Sequence, residues 1–290
     1  MHASSSTASA AQRLRHLLQQ PGILIMPGCY DAMSARLIEE AGFSVGFMSG
    51  FAVSAARLGM PDTGLISYAE LADQGSNICR AVSIPMIGDG DTGFGSAQNV
   101  KRTVQGYARA GFAAIMLEDQ VAPKRCGHTE GKAVVSRNEA AMRIQAAVDA
   151  RDAGADILIM ARTDARIDGL DEAIARCRLF RQIGADITFL EAPTSDAEMR
   201  RYCAEVDGPK MANMIEGGKT PLLPFPELAA IGYKIAVYPL TLLNVSIQAM
   251  RAALGNLAVG QRAAEAMDFE QLKDAVGFPE YYAEEARYRV

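Results

Sequence analysis

Five short words in this chain say nearly the same thing: EEAGFSV, ARAGFAA, RDAGADI, RQIGADI and AAIGYKI. Each reads as the end of an amphipathic helix, a glycine able to take the left-handed backbone that closes it, and the start of an apolar strand. Eight apolar runs recur: ILIMPG, VGFMSG, PMIGDGD, AAIMLED, DILIMARTD, DITFLEA, KMANMIE and KIAVYP, with segments rich in Ala, Arg, Glu and Leu between them. This is a βα alternation, and it predicts a parallel sheet. Eight such units favour a closed (β/α)8 TIM-type barrel over an open doubly wound sheet. The chain has 290 residues, enough for a fold that usually needs roughly 250.

The runs also set boundaries: a lead and first helix over 1–20, the barrel over 21–242, and a helical tail over 243–290. The tail, LLNVSIQAMRAALGNLAVGQ onward, holds more helix than a last barrel unit needs, so part of it is expected to pack on another subunit. Net charge is −5, with 29 basic and 34 acidic residues scattered along the chain, which leaves no extended basic face to follow a phosphate backbone. Nucleic acid is not an expected partner, and neither is a membrane. No run approaches the roughly 18 apolar residues of a spanning helix, and MHASSSTASAAQ lacks the blocks of a secretory signal. It reads as a flexible lead in a cytoplasmic protein. Cys29, Cys79, Cys126, Cys177 and Cys203 include no C-x-x-C pair, which points to reduced thiols.

In such a barrel the βα loops gather at the C-terminal ends of the strands, and chemistry collects there. Those ends carry Asp31, Ser49 and Gly50, Asp89 and Asp91, Glu118 and Asp119, Arg162 and Asp164, Glu191, Asn213 and Glu216, and Tyr238. The strand starts are mostly apolar or flanked by proline. That asymmetry predicts a site at one mouth.

The sharpest stretch is GDGDTGFG, Gly88 to Gly95. On extended backbone Asp89 and Asp91 point the same way, because the strand period is two. Converging carboxylates repel unless a cation or proton sits between them, and hard oxygen ligands suit Mg2+ or Mn2+ better than zinc. Glu118 ends the next strand and can add a third carboxylate. A solvated Gly/Asp turn is the plainer reading of D-G-D alone; Glu118 and Arg162 favour the metal. Arg162 follows an apolar run, and a half-buried guanidinium needs an anionic partner. A substrate carboxylate, a structural pair with Glu191 or Asp164, or both would serve. PKRCGHTEGK, Pro123 to Lys132, sets the Cys126 thiol among Lys124, Arg125 and His128. Cationic neighbours lower a thiol pKa, as suits a cysteine that trades a proton near neutral pH; a basic surface turn is the alternative. Tyr30, Phe47, Phe51 and Phe94 rank as core before pocket.

Taken together, SG at Ser49, LGMPDTG around Asp62, GDGDTGFG, LEDQ, KRCGH, ARTDA, EAP and NMIEGG, in that order over most of residues 22–242, resemble the isocitrate lyase and phosphoenolpyruvate mutase superfamily. The resemblance implies a (β/α)8 barrel, homotetramers that exchange a C-terminal helix between subunits, and an Mg2+-dependent site that stabilises the enolate or aci-carboxylate of a 2-oxo or 2-hydroxy acid. KRCGH is similar to the lyase branch, whose mobile loop carries the catalytic cysteine. Phosphoenolpyruvate mutases typically have a different loop, although a carboxyphosphonoenolpyruvate mutase-like label occurs on sequences that keep the cysteine. True isocitrate lyases are much longer. Methylisocitrate lyases usually show Thr-Glu-Phe-Gly where this chain has Ile215, Glu216, Gly217 and Gly218. NMIEGGKTPL looks more like the dimethylmalate lyase and oxaloacetate hydrolase group, petal-death-like proteins included.

By the same resemblance, Asp89, Asp91 and Glu118 hold Mg2+ (or Mn2+) directly or through water, with Asp62 behind them. Arg162, Ser49, Gly50 and Asn213 orient substrate carboxylates, and Gly127 and Glu191 belong to the same substrate site. Cys126 protonates the departing fragment from a loop that closes over the site, with Lys124, Arg125 and His128 supplying positive field. The implied reaction cleaves the C2–C3 bond of an alkyl-substituted 2-hydroxy dicarboxylate into a 2-oxo acid and a carboxylate. Oxaloacetate hydrolysis, 2-methylisocitrate cleavage and P–C bond mutase chemistry are the alternatives. Ile215 and Gly217, in place of a threonine and an aromatic residue, predict a pocket that loses a hydroxyl and gains apolar character.

Overall fold

The computed structural model describes residues 8–289; the first seven residues of the expected lead lie outside them. α1 (Ala10–Gln19) begins at a capping box in which Ser9 and Gln12 each satisfy the other's backbone N–H. Strands and helices then alternate: β1 (Leu24–Cys29), α2 (Ala32–Glu40), β2 (Gly46–Met48), α3 (Gly50–Leu58), α4 (Tyr68–Ala81), β3 (Met86–Asp89) and α5 (Ala97–Ala110). The second half continues with β4 (Ala114–Glu118), α6 (Arg137–Asp152), β5 (Leu158–Thr163), α7 (Leu170–Ile183), β6 (Ile187–Leu190), α8 (Asp196–Glu205), β7 (Lys210–Asn213), α9 (Phe225–Ile231) and β8 (Ile235–Tyr238). Neighbouring strands pair in parallel, and β1 pairs with β8 from Leu24 opposite Ile235 to Pro27 opposite Tyr238, so the sheet closes. The glycines of the five repeated words, Gly42, Gly111, Gly154, Gly184 and Gly232, all have positive φ. That conformation ends each helix and turns the chain into the next strand.

Strand parity decides what fills the barrel. Ile87, Met116, Met160, Phe189 and Met211 pack together inside it with Met26 and Phe47. Two residues further along the same faces stand Asp89, Glu118, Arg162, Glu191 and Asn213. An apolar plug is therefore capped by a layer of charge at the C-terminal mouth. β3 is shorter than its sequence run, ending at Asp89, and Asp91 lies beyond it at φ +47. The two carboxylates do not share extended backbone; a turn brings Asp91 round so that its N–H donates to Asp89 Oδ1 at 3.1 Å.

The chain divides into two compact units between Leu243 and Asn244. The first is the barrel. The second holds most of α10 (Thr241–Ala258), with α11 (Phe269–Val276) and α12 (Phe278–Ala286). Val245, Met250, Leu254 and Leu257 of α10 are exposed. Among the described residues, no helix is long and apolar enough to cross a membrane.

Behind the mouth, Asp119 ties three elements together. Its Oδ1 accepts the Asp164 N–H at 2.8 Å, and its Oδ2 accepts from Thr163 Oγ1 at 2.6 Å and from Arg176 Nη1 of α7 at 3.0 Å. Both charges are buried. Removing one partner of a buried pair leaves the other uncompensated. Asp119→Ala is expected to destabilise the protein by about 3 kcal/mol, read as a shift in its denaturation midpoint.

Candidate active site

Asp89 anchors one side of the mouth. Its Oδ2 accepts the Gly50 N–H at 3.2 Å, just after Ser49 caps α3 by accepting from the Ala52 N–H. A Cβ at position 50 would lie 2.7 Å from Asp89 Oδ2, so only glycine lets the backbone come this close. Lys124 sits across from it, with Nζ 2.5 Å from Asp62 Oδ1 and 2.8 Å from Asp91 Oδ1. These residues and Glu118 are all buried. Burial raises the Asp89 carboxyl, and the Asp91 charge adds to it. Burial also pushes Glu118 well above the carboxylate range, against the pull of Arg162. For Lys124 burial works against the charge, but Asp91, Asp89, Asp62 and Glu118 outweigh it and keep the ammonium protonated.

Arg162 anchors the other side. Its Nε lies 2.8 Å from Asp164 Oδ2 and 3.3 Å from Glu118 Oε2, and its Nη2 lies 3.1 Å from Glu191 Oε2. The guanidinium also stands over the Phe189 ring. Burial alone would raise Glu191, yet Arg162 and the His128 hydrogen bond hold it at about 2. Glu191 Oε1 accepts from Asn213 Nδ2 at 3.2 Å and from the Ala192 N–H at 2.9 Å. Ala192 has φ +55, an uncommon backbone for a residue with a Cβ and one that clusters at functional sites.

The thiol loop spans the two sides. His128 Nδ1 accepts the Lys219 N–H at 3.0 Å, which leaves its proton on Nε2, 3.1 Å from Glu191 Oε1. Gly127 is pressed against the site: a Cβ there would lie 2.4 Å from Arg162 Nη2 and 2.5 Å from Glu191 Cγ. Gln120 clamps the loop's base, accepting from the Arg125 N–H at 2.9 Å and donating to its carbonyl at 2.8 Å. Cys126 lines a space of about 50 Å3, room for a few ordered waters.

A family model described as phosphoenolpyruvate phosphomutase matches residues 14–258. The chain belongs to the phosphoenolpyruvate mutase/isocitrate lyase superfamily. Among its relatives, 2,3-dimethylmalate lyase of Eubacterium barkeri is 42% identical, over 97% of this chain and 98% of that protein. A 2-methylisocitrate lyase of Aeropyrum pernix is also 42% identical, over 94% of this chain and 89% of its own length. Oxaloacetate acetylhydrolase, solved with 3,3-difluorooxalacetate, superposes with a TM-score of 0.91 at 35% identity, over 94% of this chain and 95% of that one. Phosphonopyruvate hydrolase, solved with oxalate and Mg++, gives 0.85 at 28% identity, over 97% and 99%. The chain is an enzyme of the superfamily's lyase branch, a carbon–carbon lyase.

Within this superfamily member, Ser49, Asp62, Asp89, Glu118 and Lys124 line one cavity with Cys126, Gly127, His128, Arg162, Glu191 and Asn213. Gly50 and Asp91 stand just behind, holding Asp89 and Lys124. Phe47 and Phe51 line the cavity, whereas Tyr30 and Phe94 pack against the core outside the barrel. Ile215 lines the cavity; Gly217 does not, and open space surrounds it. Sequence reading quoted the stretches that end in Gln120 and Lys132 but gave these residues no role; their side chains act on loop carbonyls, partners that no residue pattern shows.

One expectation is reversed. The cations near Cys126 do not lower its pKa: Lys124 is spent on Asp62 and Asp91, and the Arg125 side chain turns to the Glu130 carbonyl. Burial dominates and raises the thiol, against a lowering backbone hydrogen bond from His128.

The carboxylate corner also bears on a metal. Among the described residues, no three His, Cys, Asp or Glu side chains form a ready cage for an ion. Yet Glu118 Oε1 has no hydrogen-bond partner, and Asp62 and Asp91 Oδ1 meet Lys124 as ion pairs outside hydrogen-bond geometry. Hard, partly unspent oxygens of this kind fit Mg2+, which keeps several of its own waters and takes one or two carboxylates.

Because alkylation tracks the thiolate, iodoacetamide labelling of Cys126 is expected to rise with pH through a midpoint above the ordinary thiol value of 9.0. Peptide mass mapping across pH reads this directly. A plateau already reached below about pH 8 would show a cysteine activated by its neighbours.

Proposed function

We propose that this chain is an Mg2+-dependent lyase that cleaves the C2–C3 bond of an alkyl-substituted 2-hydroxy dicarboxylate, giving a 2-oxo acid and a monocarboxylate. The observation that carries the reading is one cavity that joins a half-buried, protonated thiol, a guanidinium among carboxylates, and an apolar wall of Phe51, Ile215, Pro239 and Leu240. A proton donor is what a lyase needs and a phosphonate mutase does not. An apolar wall favours alkyl groups over a third carboxylate, since a buried charge without a partner is costly. Ile215 supplies that argument; Gly217 stands outside the cavity and does not add to it.

Arg162, with Asn213 and Ser49, would bind the substrate carboxylates and align the C2–C3 bond. The hydroxyl proton leaves to a carboxylate of the acidic corner. C2 becomes a carbonyl as the bonding pair stays on C3, and Cys126 gives that carbon its proton. The resulting thiolate is reprotonated when the loop opens. Mg2+, held by Asp89, Asp91 and Glu118 directly or through water with Asp62 behind them, would supply Lewis-acid stabilisation of the charge on the substrate oxygens. Oxaloacetate hydrolysis is the second reading, favoured by the likeness to oxaloacetate acetylhydrolase.

A panel of substituted malates, 2-methylisocitrate and oxaloacetate, ranked by kcat/KM, is expected to place an alkylmalate first. Chelation should abolish turnover, and Cys126→Ser should lower kcat by about 10²–10⁴-fold. A lead for 2-methylisocitrate of more than about a hundredfold, about 2.7 kcal/mol of transition-state preference, would show that the Ile215 argument is wrong.

Copies of this chain would assemble as homotetramers by exchanging C-terminal helices. Two observations support this. α10 exposes Val245, Met250, Leu254 and Leu257, and the barrel carries an apolar groove of about 310 Å3 lined by Leu37, Phe43, Phe225 and Tyr238 among others. Exposed apolar faces of this kind mark association surfaces. Sedimentation is expected to report a tetramer, and Leu254→Glu a smaller species.

A further inference from the structure

Lys132 lies at the far end of the thiol loop, and none of the chemistry above uses it. Its side chain is only 4% exposed, and the Asp164 side chain it meets is 0% exposed. The ammonium donates to the Gly127 carbonyl at 2.6 Å and to Asp164 Oδ1 at 2.7 Å. The same Asp164 carboxylate accepts from Arg162 Nε at 2.8 Å and Nη2 at 3.1 Å. One cation thus joins the residue next to the thiol to the carboxylate that aims the guanidinium. We infer that Lys132 is a positioning residue that latches the thiol loop in its closed form and couples the place of Cys126 to that of Arg162.

The alternatives for a buried ammonium are weaker here. A lysine kept only for stability would pair with a carboxylate and leave backbone carbonyls to their own ladder. Lys132 instead spends one donor on a loop carbonyl that has no strand or helix partner. Gly127 itself is pressed against Arg162 and Glu191, so its carbonyl has little freedom once the ammonium holds it. The other loop contacts are of different kinds: Lys124 to Asp62 and Asp91, and His128 to Glu191 and the Lys219 N–H. Among the described residues, only the Lys132 side chain hydrogen-bonds both the loop backbone and the Arg162–Asp164 pair. Charge-assisted hydrogen bonds are among the stronger ones, and losing two of them shifts an open–closed balance toward the open loop.

The inference rests on the proposed role of Cys126, and its test includes a readout that needs no substrate. Lys132→Met keeps the length and apolar stem and removes the ammonium. Iodoacetamide labelling of Cys126 in this variant is expected to speed up by about 10- to 100-fold, because the loop no longer holds the thiol against the site. Turnover of whichever substrate leads the panel should fall by a comparable factor in kcat. In Lys132→Ala, added propylammonium should restore part of both. Wild-type labelling in Lys132→Met overturns the latch, whatever happens to turnover. Loss of the barrel's cooperative melting in both variants overturns it as well, since Lys132 would then be an element of the fold. If labelling speeds up while no panel substrate turns over even in the wild type, the latch stands and the substrate reading falls.

Discussion

A guanidinium buried at the end of β5 needs counter-charge close by, and the rest of the site is arranged around that fact. Arg162 is met by Asp164, Glu118 and Glu191. Two of these are fixed in turn by further partners. Asp164 is fixed through its backbone by Asp119, which is itself tied to Arg176. Glu191 is held by Asn213, the Ala192 N–H and His128. Breaking one member leaves a neighbour buried and unpaired, so the members hold one another in place. His128 belongs to it, and through His128 so does the loop that carries the thiol.

Charge count explains why the carboxyls of the mouth differ from one another. Asp62, Asp89, Asp91, Glu118, Asp164 and Glu191 are buried there against Lys124, Lys132 and Arg162. Negative charge is in excess. Where a cation is close, as at Glu191, the carboxyl titrates low. Where burial exceeds the help available, as at Asp89 and Glu118, it titrates high. Those two lie on the side where the divalent cation proposed here would stand. A bound cation would replace protons there and relieve the excess, which is the coupling expected between metal affinity and pH.

Much of this was legible in the sequence because it is periodic. The repeated helix-end glycines gave the βα alternation, and reading the strand ends in order named Asp89, Glu118, Arg162, Glu191 and Asn213, which the structure sets on one inward face above an apolar core. What could not be read was direction beyond the strand ends. Asp91 reaches the site through a left-handed turn that no alternation rule foresees. The cations beside Cys126 in sequence turn out to face other partners in space, so burial rather than positive field sets its proton affinity. Lys132 looks like any solvated lysine until the fold brings Asp164 and the Gly127 carbonyl to its ammonium. Gly217, notable as a departure from a motif, proves to touch nothing in the cavity.

The loop itself imposes a last constraint. The space under it, about 50 Å3, is far below the roughly 300 Å3 or more of ordinary ligand pockets. A substrate of the proposed dicarboxylate class would therefore need the loop to move aside for entry and for product release. On that reading, the contacts that seat Cys126 would be made and broken in every turnover. Strengthening them further would hold the thiol in place at the cost of release, so a catalyst of this design gains most from a latch of intermediate strength. Separate polar contacts at several points along the loop suit that need better than one large apolar seal, because each can be released without exposing a core.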